Sequence, residues 1–196
     1  MVYIIAADLM PDAFIISFGE RVCRFPLVVT NYSDLAFSPT QNLIAGAVDV
    51  YTEGDNIRVW RIDDKEYCQP ALDLFSDGDF AESVDFSPDG ELITAIIDQE
   101  VRIWDLPASK EILWSVKDEG EKRFNEVRFS PGGQLVVRDQ ERKFTIYDPY
   151  TGEVLGIIDI SEEAEDYFWP HFSIALDGTE IATIIPGVPL QIWKMP

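Results

Sequence analysis

Short runs of alternating apolar and polar residues, each ended by turn residues, recur along the chain. Residues 83–86, 92–97 and 101–104 are three such runs, rich in β-branched and aromatic side chains. Pro88 presets φ for a turn between the first two runs, and Gly90 supplies the positive φ at the exit of that turn. Asp98-Gln99-Glu100 separates the second run from the third. The pattern predicts three antiparallel strands in a meander.

The same pattern occurs in four successive segments. Each segment has an anchoring Phe before its first turn and a closing aromatic residue in its third run. The anchors are Phe37, Phe86, Phe129 and Phe172, and the closing residues are Trp60, Trp104, Tyr147 and Trp193. The anchors lie 49, 43 and 43 residues apart, and an insertion at residues 49–56 explains the longer first step. A period of about 40–45 residues with four strands per unit predicts a β-propeller.

The best copy contains "FSPDG" at residues 86–90, Asp98, and "VRIWD" at residues 101–105. These motifs resemble a repeat of the WD-repeat family, and the resemblance extends from about residue 32 to the end of the chain. The Gly-His pair of that family is absent, and the chain has a single histidine. The buried Asp–His–Ser/Thr–Trp network of the family is therefore not expected, although Asp98 and Trp104 match two of its members. The copies are divergent.

We therefore predict an all-β fold, a β-propeller of four-stranded antiparallel blades with four to five blades in one domain spanning residues 1–196. The blades are expected at about residues 1–29 (partial), 32–75, 81–117, 124–160 and 168–196, and the last blade lacks its own outer strand. The outer strands of the other copies are expected near residues 71–75, 111–116 and 153–160. A helix is locally compatible with the sequence around residues 109–124, but the repeat period favours a strand there.

The sequence does not determine how the ring of blades closes. Residues 21–29 either pair onto the last blade as its fourth strand, or belong to a separate, incomplete N-terminal blade. The second arrangement leaves unpaired strand edges, which invite another chain. It predicts a homo-oligomer formed through the incomplete terminal blades, or a propeller completed by another polypeptide. An irregular monomeric propeller is the remaining alternative.

Charge narrows the choice of partners. The formal net charge of −21 disfavours nucleic acid and anionic membrane surfaces and favours a partner with a basic surface or peptide. The alternative is that the charge serves solubility alone. Cys23 and Cys68 have no metal-ligand spacing, Asp8 interrupts the apolar N-terminal run, and no window resembles a membrane span. These features predict a cytoplasmic protein.

The sequence carries no catalytic motif. The single histidine, His171, has no serine elbow to work with, and no phosphate loop or paired CxxC is present. We expect a non-catalytic protein without a cofactor or metal. The alternative is an enzyme or small-ligand-binding propeller that uses carboxylates at the central channel. Arg138 and Asp139, late in a second strand, are expected either to line that channel or to form an ion pair at its mouth.

The predicted partner-binding surface lies in the connectors between blades. In WD-repeat propellers, the loops from an outer strand to the next first strand gather on one face that commonly takes partners. Here those loops combine carboxylates with aromatic residues, which suits Lys- or Arg-rich peptides. The predicted contact residues are Asp77, Asp79, Phe80, Asp118, Glu119, Glu121, Glu162, Glu163, Asp166 and Trp169. Phe124 is expected to pack between blades instead.

Function follows from this surface and from the resemblance. We expect a protein–protein interaction platform, or a regulatory or assembly subunit, that binds a basic partner through its acidic loop face.

Overall fold

The computed structural model of the protein describes residues 3–7, 12–17, 20–26, 31–49, 57–62, 69–74, 81–108, 112–117, 123–160, 171–185 and 187–196. Within these residues the regular structure consists of β1 to β18, and there is no helix. The strands form five antiparallel sheets, which we number in chain order.

The sheets have the following strands. Sheet 1 contains β1 (Tyr3–Ala7), β2 (Asp12–Ser17) and β3 (Glu20–Pro26). Sheet 2 contains β4 (Asn31–Phe37), β5 (Leu43–Asp49), β6 (Ile57–Arg61) and β7 (Gln69–Leu74). Sheet 3 contains β8 (Ala81–Phe86), β9 (Leu92–Ile97), β10 (Glu100–Asp105) and β11 (Ile112–Lys117). Sheet 4 contains β12 (Phe124–Phe129), β13 (Leu135–Asp139), β14 (Lys143–Tyr147) and β15 (Val154–Asp159). Sheet 5 contains β16 (His171–Ile174), β17 (Glu180–Ile184) and β18 (Gln191–Lys194).

Strand order follows chain order in every sheet, as a meander requires. The meander predicted around residues 83–104 is β8 to β10, and the predicted outer strands are β7, β11 and β15. The strand alternative for the segment around residues 109–124 is confirmed by β11. The prediction of an all-β fold made of repeated antiparallel sheets is confirmed, and this repetition is consistent with a propeller-like arrangement.

The N-terminal strands form a sheet of their own. β3 pairs with β2, and among the described strands β18 pairs only with β17. Residues 21–26 are therefore not the fourth strand of the last sheet in this structure, and the described strands contain no pairing that closes a ring. Only two residues separate β2 from β3, so this hairpin forms with far less loss of chain entropy than a pairing across the whole chain.

The strand register corrects one anchor of the repeat. Phe86 and Trp104 both lie opposite Ile93, on either side of it. In sheet 5 the residue equivalent to Ile93 is Ile181, which lies between Ile174 and Trp193. The structural anchor of the last copy is therefore Ile174 and not Phe172. The sequence pattern missed it because this copy has an aliphatic residue where the others have Phe.

The central strands of sheets 3 and 4 are buried on both faces. All six residues of β9 are buried: Ile93, Ala95 and Ile97 pack in a core with residues of sheet 2, and Leu92 and Ile96 pack in a core with residues of sheet 4. We call the side of a sheet that faces the preceding sheet its leading face, and the opposite side its trailing face. Sheets 4 and 5 form a third core of the same kind.

Replacement of a residue in one of these cores tests the packing. Ile103 in β10 is 0% exposed, whereas Ile157 in β15 is 62% exposed. We expect Ile103→Ala to lower the free energy of unfolding by about 2–5 kcal/mol, because it removes buried methyl groups and leaves a cavity. Ile157→Ala, the matched control, should cost less than about 1 kcal/mol. Equal losses in urea titrations of the two variants would show that sheets 3 and 4 do not pack as described.

Candidate functional site

All of the predicted contact residues lie outside the described residues. They belong to three connectors, of which the described strands show only the flanks: β7 and β8, β11 and β12, and β15 and β16. Each connector therefore runs from the last strand of one sheet to the first strand of the next, as predicted. The assignment of Asp77, Asp79, Phe80, Asp118, Glu119, Glu121, Glu162, Glu163, Asp166 and Trp169 to a binding surface stays a prediction.

Side-chain oxygens link the first strands of sheets 2, 3 and 4. The carboxylate of Asp34 in β4 accepts hydrogen bonds from the backbone N–H groups of Leu35 (2.9 Å) and Val84 (3.2 Å). The hydroxyl oxygen of Ser83 in β8 accepts one from the N–H of Val127 in β12 (3.3 Å). A strand at the edge of a sheet has unpaired N–H groups, and these side chains satisfy some of them.

Asp85, two residues after Ser83 in β8, makes the same kind of link. Its Oδ1 accepts the N–H of Phe86 (2.9 Å), and its Oδ2 accepts the N–H of Phe129 in β12 (2.7 Å). Burial raises the pKa of Asp85 to about 6, although both N–H groups and the nearby charge of Arg128 favour the ionised form. The carboxylate therefore holds two sheets together while it carries a desolvation cost.

An ion-pair chain lies beside these links. Arg128 Nη1 lies 2.7 Å from Asp34 Oδ2, and its Nη2 lies 3.3 Å from Glu126 Oε1. The other oxygen of Glu126, Oε2, lies 3.0 Å from Nη2 of Arg138, whose side chain is buried. Arg138 in β13 thus forms an ion pair with Glu126 in β12, and its position relative to a central channel stays a prediction. The Asp139 carboxylate accepts the N–H of Lys143 (2.9 Å) in the next turn. These groups form a structural network.

The turns after the first strands lie at the opposite end of the sheets from the connectors. These turns, residues 38–42, 87–91, 130–134 and 175–179, define what we call the turn end. The hydroxyl of Thr40 donates to the carbonyl of Asp89 (3.0 Å), so the turns of sheets 2 and 3 touch. A Cβ added at Gly178 would lie 3.0 Å from the backbone nitrogen of Gly132, so the turns of sheets 4 and 5 are also in close contact.

A cavity of about 330 Å³ opens at the turn end between sheets 3 and 4, and we call it the Tyr150 cavity. Its walls are the first turns of both sheets, the turn between β14 and β15, and the start of β15. Much of the lining consists of proline, leucine and tyrosine side chains, namely Pro88, Leu92, Pro131, Pro149, Tyr150 and Leu155. Such a lining accepts apolar atoms of a ligand.

A close contact with sheet 3 fixes the turn that carries Tyr150. Gly152 has a φ of +73°, and a Cβ added there would lie 3.0 Å from the ring of Trp114, so both backbone and space favour glycine. Trp114 Nε1 donates a hydrogen bond to the carbonyl of Pro149 (2.6 Å). The Trp114 ring also lies 5.6 Å from the ring of Tyr147, measured between centroids. The turn is thus held against β11.

Two carboxylates in the cavity lining are held in the ionised form. Asp148 Oδ1 accepts the N–H groups of Thr151 (2.8 Å) and Tyr150 (2.9 Å), and these bonds lower the pKa of Asp148. A hydrogen bond from the hydroxyl of Ser87 lowers the pKa of Asp89 in the same way. Both side chains lie near the surface, so they are charged at neutral pH and accessible to a ligand.

Tyr150 projects among acidic side chains. It is 59% exposed, and partial burial together with the charges of Asp89, Glu91, Asp105 and Asp148 raises its pKa. The phenol therefore stays neutral, and its exposed ring lies in the negative field of these four carboxylates. An aromatic face near carboxylates attracts the cationic head of Lys or Arg. The adjoining cavity offers space for a neighbouring apolar side chain.

The sequence alone does not single out this site. The only local signal is "DPYTG" at residues 148–152, a turn pattern that predicts an exposed aromatic residue at its tip. The carboxylates near Tyr150 come from separate segments, and only the packing of sheet 3 on sheet 4 brings them together.

A second cavity, of about 470 Å³, lies between sheets 2 and 3. Its lining includes Gln41, Asn42, Arg61, Leu72 and Leu106, and no carboxylate among the described residues. Among the described residues, its lining thus differs from that of the Tyr150 cavity, which contains Asp89 and Asp148.

Other classes of site receive no support from the described part of the chain. It contains no group of three or more His, Cys, Asp or Glu side chains arranged to hold a metal ion. None of its elements is a helix with the length and apolar character needed to cross a membrane. No protein-family model matches the chain.

The raised pKa of Asp85 predicts a pH dependence of stability. Its folded-state pKa, about 6, lies above the ordinary value of 3.8, so its contribution is fully present below about pH 4 and is lost as the pH rises through 6. We expect the stability of the wild type relative to Asp85→Asn to fall by about 2–3 kcal/mol between pH 4 and 7. Urea unfolding at several pH values measures this difference. A difference that is constant with pH would contradict the raised pKa.

Proposed function

We propose that this protein is a non-catalytic interaction platform, a divergent β-propeller of the WD-repeat type, that binds a partner with a basic surface or peptide. The repeat of antiparallel sheets supports the propeller, with the first strands of sheets 2, 3 and 4 side by side and the first turns gathered at one end. The resemblance of residues 86–105 to the WD-repeat family supports the type.

The Tyr150 cavity is the observation that carries the proposal. It combines an exposed aromatic ring, four nearby carboxylates and an apolar hollow at the junction of two sheets. This combination suits a Lys or Arg side chain next to a proline or an aliphatic residue. The ammonium or guanidinium group contacts the ring and the carboxylates, and the apolar neighbour enters the cavity.

The charge of the whole chain acts in the same direction. A net charge of −21 produces a negative field that accelerates the approach of basic partners and weakens as salt is added. The predicted connector residues add a second acidic and aromatic surface in this proposal. A partner that wraps from one end to the other uses both surfaces, whereas a short peptide uses one.

The first experiment measures binding of a labelled Arg/Leu/Pro peptide by fluorescence anisotropy, with a Glu/Leu/Pro peptide as the charge-reversed probe. We expect Tyr150→Leu to weaken binding about two- to fivefold, because it removes the aromatic face and keeps an apolar side chain. Tyr150→Phe keeps the face and should bind as the wild type does. Equal binding of both probes, or an unchanged affinity of Tyr150→Leu, would count against the site.

Charge at the Tyr150 cavity is tested separately. Glu91→Gln should lower the association rate about two- to threefold at low salt, with the difference disappearing at high salt. The matched control is Glu141→Gln, which removes the same charge in the turn between β13 and β14 at the other end of sheet 4. An equal effect of both variants would show that only the overall field matters and not the cavity.

The connector surface has its own test. Replacement of Asp77, Asp79, Glu162 and Glu163 by Asn or Gln should weaken binding of the natural partner mainly through its association rate, with little loss of stability. Stopped-flow binding and thermal unfolding of the same variant give the two readouts. Unchanged binding together with a lowered melting temperature would contradict a binding role for these carboxylates.

A further inference from the structure

Each trailing face in the middle of the chain is covered by the sheet that follows. In sheet 3 the residues Ile96, Val101 and Ile103 are completely buried in or beside the core shared with sheet 4. In sheet 4 the corresponding residues of β14, Phe144 and Ile146, are completely buried in the core shared with sheet 5. Apolar side chains at these positions are therefore the contact surface for a following sheet.

Sheet 5 carries the same surface without a cover. The pairing of second and third strands shows which positions are equivalent. Ile146 of sheet 4 lies opposite Val136, and Ile192 of sheet 5 lies opposite Ala182, so Ile192 occupies the position of Ile146. Ile184, Leu190 and Ile192 are exposed by 57%, 61% and 61%. Three large aliphatic side chains exposed on one sheet face are characteristic of an unfilled contact surface.

The repeat also indicates what kind of surface covers this face. The covering surface within the chain is a leading face, with aliphatic residues on the second strand and an aromatic residue on the third. The leading faces of sheets 3, 4 and 5 are occupied by the preceding sheets. On the leading face of sheet 2, Ile44 and Trp60 are already buried. Among the sheets that the structure describes, sheet 1 is thus the remaining one that is able to supply a cover.

The sequence of sheet 1 fits this role. β1 is "YIIAA" and β2 is "DAFIIS", so apolar residues occupy both alternation phases of each strand. Strands of this composition belong to sheets that are buried on both faces. Sheet 1 therefore needs two neighbours, one for each face.

We propose that sheet 1 of a second copy of this chain packs on the trailing face of sheet 5, and that the exchange is reciprocal. The trailing face of sheet 5 is exposed although sheet 1 of the same chain is present, which favours the second copy as the occupant. Reciprocal exchange covers both trailing faces around one two-fold axis, so it yields a closed dimer and not a filament.

The proposed dimer responds to salt in the opposite direction from partner binding. Two chains that each carry a net charge of −21 repel one another, and screening of this repulsion strengthens the apolar contact. Salt is thus expected to strengthen dimerisation and to weaken binding of the Arg/Leu/Pro peptide. Because the two salt effects have opposite signs, an experiment can contradict the dimer without contradicting peptide binding, and the reverse.

Light scattering coupled to size exclusion tests the dimer over a range of protein and salt concentrations. The wild type should be a dimer whose dissociation constant falls as salt is added. The double variant Ile184→Thr with Ile192→Thr keeps β-branched residues on the face, removes apolar area, and should raise the dissociation constant by about tenfold or more. The control is Leu176→Thr, at an exposed turn residue outside this face, which should leave the constant unchanged.

A second measurement identifies the contact. A photo-cross-linking residue introduced at position 192 of an isotopically heavy chain, mixed with light chain, should capture residues 3–26 of the light chain. Capture within the heavy chain, or a wild-type monomer at high concentration and high salt, overturns the proposal. If the double variant is unfolded, as shown by loss of its β-sheet circular dichroism, its oligomeric state does not test the contact. The capture experiment uses a folded chain and then decides by itself whether sheet 1 of a second copy packs on sheet 5.

Discussion

Two-sided burial of the central strands is the constraint on which this structure depends. A strand such as β9, with all six residues buried, is stable only when its sheet has a neighbour on each face. Sheets 3 and 4 meet this requirement because sheets 2 to 5 pack in chain order, each sheet covering the one before it. The free energy of the fold therefore lies mainly in apolar contacts between sheets, and the terminal sheets are the places where such contacts are incomplete.

Side-chain oxygens accept hydrogen bonds from backbone N–H groups that apolar packing leaves without a partner. The first strands of sheets 2, 3 and 4 lie close together without a shared backbone ladder, so Asp34, Ser83 and Asp85 accept the N–H groups of the next first strand. A charge used in this way is held in a partly desolvated position, which explains the raised pKa of Asp85. The positive charge of Arg128, which forms an ion pair with Asp34, also favours the ionised form of Asp85 and so offsets some of this cost.

Packing buries most of the sheet faces, and the Tyr150 cavity lies at one end of the sheets. At the turn end, the first turns of sheets 3 and 4 and the turn between β14 and β15 surround one hollow. Trp114 fixes the last of these turns, so Tyr150 is presented on a rigid support. In the proposed function, this arrangement presents negative charge to a basic partner at the place where the turns meet.

The sequence by itself determined the local units. Alternation, Pro88, Gly90 and the spacing of aromatic residues were sufficient to predict the strands of sheets 2 to 4, because these signals act within a few residues of one another. The last copy was harder, since Ile174 replaces the aromatic anchor, and only the pairing with Ile181 reveals the register. Tertiary structure alone decided which distant residues share a site. Tyr150 and its carboxylates meet through the packing of two sheets, and the uncovered face of sheet 5 exists only as a difference from its buried equivalents. Such features depend on contacts between whole sheets, which local sequence patterns do not encode.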